Sequence, residues 1–447
     1  MGLHRRALLG SALAVPFIRA AGAQPAPTTP ILFVHGNGDH AALWMTTLWR
    51  FETNGWPRDR MMAVNMPDPA ARADDAVAQA GRSSSTEQTT RLATFVAELR
   101  ARTGAPRVAL IGNSRGGYPI RDFVAQQGGA SQVSHVVTCG TPNHGVYDWD
   151  ANPGSEFNAR SPFLRRLNGG ATDVAAGTSF LTIRSDNDLY AQADGRYASR
   201  PGVPTGITQD GPSLRGANNI LLTGLDHRET AYHWRSFREQ FKHVAGREPH
   251  TLTVQPEERP ALGGLVTGLA NGAATNRPVA GATVELFLID WHGQRESEEP
   301  LYRTTTGVDG AWGSVTLPPW RFAPVEIVLT VPGQLTAHYF RSNFPRSTQV
   351  LHLRPPAPLT EAERGAAAVM RMTRPRGYFS WPRDVVLLND TEIAEKRDGV
   401  ASVATASLRL PAERVGSAIY GVFNEEKLIG RVVPLAEDRI GVMELTW

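Results

Sequence analysis

From residue 30 to about residue 250, short apolar runs alternate with longer segments in which apolar residues recur every three or four positions. Pro30-Ile-Leu-Phe-Val34, Met61-Met-Ala-Val-Asn65, Val108-Ala-Leu-Ile111, Val133 to Cys139, Phe180 to Arg184 and Asn219 to Thr223 have the length and composition of buried strands. Between them, Leu43 to Asn54, Ser84 to Arg102, Tyr118 to Gln126 and Ala231 to Phe241 read as helices. In the second of these, Leu92, Phe95, Val96 and Leu99 share one face, with Ser85 or Thr86 near its start. Strands alternating with helices predict an α/β domain over residues 24–250, a mostly parallel sheet with helices on both faces.

The pattern loosens between Gly145 and Ala176, where Tyr147, Trp149, Phe157, Phe163, Leu164 and Leu167 are scattered among small and polar residues. At the C-terminal edge of such a sheet, this stretch is either a lid or pocket wall, or a plain connection whose aromatics pack on the core. Past His250 the period shortens to that of strands: Thr251–Val254, Gly263–Thr267, Val279–Leu288, Tyr302–Thr306, Gly310–Trp312 and Val325–Val331. Arg354-Pro-Pro-Ala-Pro358 breaks the run. Val385–Leu388, Val400–Leu410, Ser417–Phe423 and Ile429–Val433 follow. The expectation is a β-sandwich-like unit over 251–354 and a second β-rich unit over 355–447. Trp291, Trp312, Trp320, Tyr339, Phe340 and Trp381 are either core residues of these units or a surface facing lipid or polymer.

The first 23 residues differ from all of this. Arg5 and Arg6 precede a short apolar run to Ile18, and Ala21-Gly-Ala23 supplies small residues ahead of Gln24. This is the pattern of an export signal, and the arginine pair resembles a twin-arginine signal; a general secretory signal with a chance arginine pair is the alternative. The expected location is periplasmic or secreted. The run is too short to span a bilayer.

Composition alters this picture in two places. The formal charge is +3, but Arg5, Arg6 and Arg19 all lie in the export segment. Without them the basic residues balance the 43 acidic ones, so no nucleic-acid partner is expected. Cys139 is the single cysteine, which excludes an intrachain disulfide. No metal-ligand spacing stands out, and no cofactor is expected.

Candidate chemistry centres on Gly112-Asn-Ser-Arg-Gly116, a G-x-S-x-G pentapeptide between a strand and a helix. A serine at the tip of such a turn is held in a strained conformation, and side chains two residues to either side would collide. Ser114 is therefore the candidate nucleophile. A serine hydroxyl needs a histidine base, and the base needs an orienting carboxylate, in the chain order Ser, acid, His. Ile183-Arg-Ser-Asp-Asn-Asp188 follows one strand and Thr223-Gly-Leu-Asp-His227 follows the last. Asp188 is assigned as the acid because it lies a few residues past the strand end, with Asp186 the alternative and otherwise a turn former or cap. His227 is assigned as the base, ahead of His233, which falls on the next helix. The oxyanion donors are assigned to the backbone N–H of Asn37, in the glycine turn after the first strand, and that of Arg115. His35 reads as a structural hydrogen-bonder; His40 and His144 are further pocket candidates.

Phe33-Val-His-Gly36, Gly112-Asn-Ser-Arg-Gly116, Gly140-Thr-Pro142 and Gly224-Leu-Asp-His227 together resemble the α/β-hydrolase family, and within it bacterial secreted lipases and esterases. The resemblance covers roughly residues 28 to 245. More loosely, it extends to lipases whose C-terminal β-domain engages lipid. It implies hydrolysis of carboxylic esters through an acyl-enzyme. Asn113 stands where many lipases carry His. The expected function is a secreted serine carboxylic-ester hydrolase acting on lipid-like esters, with contact to a lipid interface through the β-region. The alternatives are an extracellular polyester depolymerase with a polymer-binding β-region and a non-catalytic binding protein on a hydrolase scaffold.

Overall fold

The computed structural model describes residues 28–190, 200, 202–319, 323–395 and 401–447. The export segment and Trp320 lie outside the described residues.

Six parallel strands form the N-terminal sheet: β1 (Ile31–Val34), β2 (Met61–Val64), β3 (Val108–Asn113), β4 (Val133–Cys139), β5 (Ser179–Arg184) and β6 (Asn218–Leu221). Their order is β2-β1-β3-β4-β5-β6. Every residue of β1 and β3 is buried. Successive residues feed opposite cores: Ile31 and Phe33 pack with Trp44, Phe51, Phe237 and Phe241, whereas Leu32 and Val34 pack with Leu92, Val96, Leu99 and Ile120. Helices α1 (Met45–Thr53), α2 (Ser85–Thr103), α3 (Gly117–Gln126), α4 (Pro162–Asn168), α5 (Glu229–Tyr232) and α6 (Trp234–Ala245) complete the domain. Phe51 of α1 with Phe237 and Phe241 of α6 covers one face; α2 and α3 cover the other.

Ser84, the first residue of the expected helix, caps α2. Its hydroxyl accepts from the Glu87 N–H, and the Glu87 side chain accepts from the Ser84 N–H. The helix ends at Gly104 in the left-handed conformation.

Strand order reverses between β1 and β3, since β2 lies on one side of β1 and all later strands on the other. The carboxyl ends of β1 and β3 are therefore the crevice where ligands of open α/β sheets bind. Gly36 and Ser114 sit there.

The C-terminal region is built on seven strands: β7 (Thr283–Leu288), β8 (Tyr302–Thr305), β9 (Val325–Thr330), β10 (Thr336–Arg341), β11 (Ala368–Thr373), β12 (Thr405–Leu410) and β13 (Arg439–Glu444). Their order is β8-β7-β9-β10-β13-β11-β12. The last strand of the chain lies between β10 and β11 and is parallel to both, so residues on either side of position 354 share one sheet. A four-stranded sheet including Ala418–Phe423 and Glu426–Arg431 packs beside it. Trp312, Tyr339 and Phe340 are core residues, while Trp291 is exposed.

Thr251–Val254, expected as a strand, is not one. Asn54 Oδ1 takes the N–H groups of His250 and Thr251, and Arg50 donates to the Leu252 carbonyl, so the segment is fastened to the end of α1 instead of joining a ladder.

The two regions share apolar core. Met45 and Trp49 of α1 pack among Leu262, Val284, Ile327 and Phe344 of the β-region. The Trp49 indole donates to the Ser347 carbonyl at 2.9 Å and meets Phe344 edge-on.

Candidate active site

Ser114 follows β3 at φ +53°, in the left-handed region that a serine adopts only under constraint. The glycines around it are a steric necessity. A Cβ on Gly112 would lie 2.6 Å from Ile120 Cδ1 and 2.9 Å from the Gly116 backbone; one on Gly116 would lie 2.5 Å from the His35 carbonyl oxygen; one on Gly36 would lie 2.9 Å from Ser114 Cβ. The turn Ser114–Gly116 leads directly into α3, so the serine stands at a helix N-terminus.

His227 and Asp188 meet at this edge. His227 Nδ1 is 2.7 Å from Asp188 Oδ1, and both side chains are buried. An ionised carboxylate only accepts, so Nδ1 carries the proton and Nε2 is left as the basic nitrogen. The Tyr190 N–H also donates to Asp188 Oδ1, at 2.8 Å, and the Tyr190 ring meets the imidazole edge-on at 4.6 Å. Asp186 lies elsewhere: its Oδ1 accepts the Gly224 N–H at 2.6 Å, closing the turn that leads to His227. Gly140, at φ +57°, lets these loops close, because a Cβ there would meet Asp188 Oδ2 and Thr230 Oγ1.

The backbone of His227 is fixed from three directions. Asp226 and Glu229 form a reciprocal cap around it, with Asp226 Oδ1 accepting the Glu229 N–H and Glu229 Oε2 accepting the Asp226 N–H. The His227 carbonyl accepts from Thr230 Oγ1 at 2.7 Å and from Asn113 Nδ2 at 3.3 Å. The same Asn113 amide donates to the Cys139 carbonyl. The residue before the nucleophile thus ties its strand both to β4 and to the histidine loop. From the β-region, Arg374 then clamps both carboxylates of the cap, at 2.6 Å to Asp226 Oδ2 and 2.6 Å to Glu229 Oε1. Arg374 further donates to the Tyr232 hydroxyl and the Tyr378 carbonyl. Burial raises the Glu229 carboxyl, but Arg374 and Arg383 outweigh it and hold it at about 2. Asp226 shifts upward, through burial and then the charge of Glu229.

Ser114, His227 and Asn37 line one cavity of about 150 Å³, together with Asp39, Pro142, Val146, Phe157, Tyr190, Arg228 and Tyr378. The loose segment after Gly145 does two things. Val146 and Phe157 enter the cavity wall, while Phe163, Leu164 and Leu167 form a small core with Tyr118. Glu156 anchors this segment through a buried pair with Arg115, at 2.5 and 2.7 Å. The Arg115 guanidinium also reaches the Pro69 and Ser83 carbonyls. Arg115 follows Ser114 immediately, but its side chain is a buried brace.

Of the other histidines, His35 is structural. Its Nε2 accepts the Met66 N–H, which leaves the ring proton on Nδ1, facing the Gly36 carbonyl; burial lowers its pKa. His40 accepts the Ala42 N–H, His144 contacts the Gly211 carbonyl, and His233 caps α6. None of these is in the cavity wall. Sequence reasoning missed Asp39, Arg228 and Tyr378. The signal for Arg228 was its place beside His227; Tyr378 carried none, since it comes from a different domain. Among the described residues, no group of three His, Cys, Asp or Glu side chains is placed to hold a metal ion, and no helix is long and apolar enough to cross a membrane.

A parallel sheet with helices on both faces, a strained serine at the strand reversal and a His-Asp pair on later strand ends now stand together. The fold is that of the α/β-hydrolases. Residues 30–181 match the palmitoyl protein thioesterase family, and residues 263–358 match the lipase C-terminal domain family. Among solved structures, the chain is similar to the lin2722 gene product of Listeria innocua (16% identity, 50% of this chain and 97% of that chain, TM-score 0.36). It is also similar to Aspergillus fumigatus lipase B (14% identity, 50% and 54%, TM-score 0.35) and to Bacillus licheniformis lipase BlEst2 in its propeptide form (17% identity, 60% and 59%, TM-score 0.35). The first match is to a thioesterase family and the second to a domain found at the C-terminus of lipases.

Proposed function

We propose that the protein is a secreted serine carboxylic-ester hydrolase acting through an acyl-enzyme. The observation that carries this reading is the strained Ser114 sharing a cavity with His227, whose Nδ1 is held by buried Asp188. In the proposed cycle, Ser114 Oγ attacks the ester carbonyl while His227 Nε2 takes its proton. The N–H groups of Asn37 and Arg115 hold the oxyanion. As the tetrahedral intermediate collapses, the imidazolium returns the proton to the leaving alcohol. Water, deprotonated by His227, then attacks the acyl-serine and releases the acid. Asp188 fixes the tautomer and stabilises the imidazolium. Export rests on the arginine pair, apolar run and small residues of positions 1–23.

The match of residues 30–181 to palmitoyl protein thioesterase favours a second reading, an acyl thioester as substrate; the chemistry of Ser114 is the same for either. Turnover of p-nitrophenyl esters and acyl thioesters of graded chain length, by wild type and Ser114→Ala, tests both. Ester turnover that vanishes in Ser114→Ala supports the first reading. Ester turnover retained by a folded Ser114→Ala protein overturns it, and a preference for thioesters selects the second.

A further inference from the structure

Tyr378 belongs to the β-region, yet it forms part of the wall of the cavity that holds Ser114 and His227. It lies on the segment that follows β11, and this segment is fastened to the catalytic domain at several points. The Tyr378 N–H donates to Asp226 Oδ2 at 2.9 Å. The Tyr378 carbonyl accepts from Arg374, which is itself clamped on Asp226 and Glu229. The Pro375 carbonyl accepts from Arg228 at 2.6 Å. The Arg228 guanidinium lies 5.3 Å from the centre of the Tyr378 ring, and its Nε is 3.5 Å from Asp39. Backbone and ring are therefore both tied to residues flanking His227 or lining the same cavity. A ring held in this way is a fixed wall.

The space it bounds is small. The cavity measures about 150 Å³, against the roughly 300–1,000 Å³ usual for ligand pockets. Its lining mixes the apolar Val146 and Phe157 with the charged Asp39 and Arg228, whereas a long alkyl chain needs continuous apolar walls. We propose that Tyr378, contributed by the C-terminal β-region, is a specificity-determining residue of the active site and that it restricts the acyl group to short chains. On this view the β-region completes the catalytic pocket, whatever else its outer surface binds. The inference rests on the proposed ester hydrolysis.

The test uses the full chain. Wild type, Tyr378→Ala and Tyr378→Trp are compared on p-nitrophenyl acetate, butyrate, octanoate and palmitate, with active sites counted by a fluorophosphonate. Wild type is expected to favour acetate or butyrate. Removing the ring opens the wall, so the octanoate-to-butyrate ratio of kcat/KM rises by about tenfold or more in Tyr378→Ala. Tyr378→Trp lowers that ratio. Tyr378 is half-buried, so both variants are expected to fold, and fluorophosphonate titration checks that they have. An unchanged chain-length profile in both variants, at full titration, overturns the inference while leaving ester hydrolysis intact. A wild type that prefers palmitate also overturns it. A wild type that neither titrates nor turns over any ester refutes the function on which the inference rests.

Discussion

Replacing Arg374 by methionine keeps most of the side-chain volume and removes the charge that joins the two regions behind His227. Four hydrogen bonds go with it: those to Asp226 Oδ2, Glu229 Oε1, the Tyr232 hydroxyl and the Tyr378 carbonyl. Asp226 is fully buried and Glu229 nearly so. Removing one partner of a buried ion pair costs about 3–5 kcal/mol, mostly from the charge left behind. Arg383 still reaches Glu229 Oε2 at 2.6 Å, so the lower end, about 3 kcal/mol, is expected at neutral pH. The pH dependence separates this cause from lost packing. Glu229 is held at about 2 in the folded protein, below the roughly 4.3 of an unfolded glutamate. A depressed carboxylate contributes stability that is present above the unfolded value and disappears as pH falls through the folded one. Without Arg374 that depression shrinks. The deficit of Arg374→Met is therefore largest at neutral pH and narrows as pH falls, first through the raised Asp226 carboxyl and finally toward about 2, where Glu229 protonates. Urea unfolding of both proteins across this range, followed by tryptophan fluorescence, measures it. A deficit that is constant with pH, or absent, refutes the electrostatic clamp.

Three further substitutions probe the site. Asp188→Asn is expected to lower kcat by roughly 10³–10⁴ through loss of the correct imidazole tautomer, whereas Asp186→Asn, which weakens the bond to the Gly224 N–H away from the imidazole, keeps kcat within about tenfold of wild type. Steady-state kinetics of the pair decides the assignment, and equal losses would reverse or blur it. Gly116→Ala places a Cβ 2.5 Å from the His35 carbonyl, a backbone atom that cannot step aside. A stability loss of about 1–3 kcal/mol by denaturant titration, together with lost turnover, is expected; an alanine variant as stable and active as wild type contradicts the steric account of the turn.

What the sequence disclosed was mostly local. Gly112 and Gly116 are legible from the pentapeptide pattern, although the collisions they avoid are with Ile120 and the Gly116 backbone for the first and with the distant Val34 and His35 carbonyls for the second. Asp188 and His227 are legible because each follows a strand whose apolar run is unmistakable, although only the structure shows which of Asp186 and Asp188 meets the imidazole. The parallel sheet is legible because β1 and β3 are apolar on both faces. What escaped depends on distant contacts. Thr251–Val254 has the composition of a strand but is held by Asn54 and Arg50, about two hundred residues earlier in the chain. The last strand enters between β10 and β11, a choice that its own six residues do not encode. Arg374 and Tyr378 sit in an irregular, Arg- and Pro-rich connection with no periodicity, and only the meeting of the two regions gives them a role.

The proposed cycle depends on Ser114 being an activated nucleophile served by His227. It is tested most directly by treating the full-length protein with a fluorophosphonate and locating the adduct by peptide mass spectrometry. One stoichiometric adduct is expected on Ser114, formed rapidly in wild type, much more slowly in His227→Ala, and not at all in Ser114→Ala. A folded wild-type protein that takes up no phosphonate, or takes it up on another residue, would contradict it.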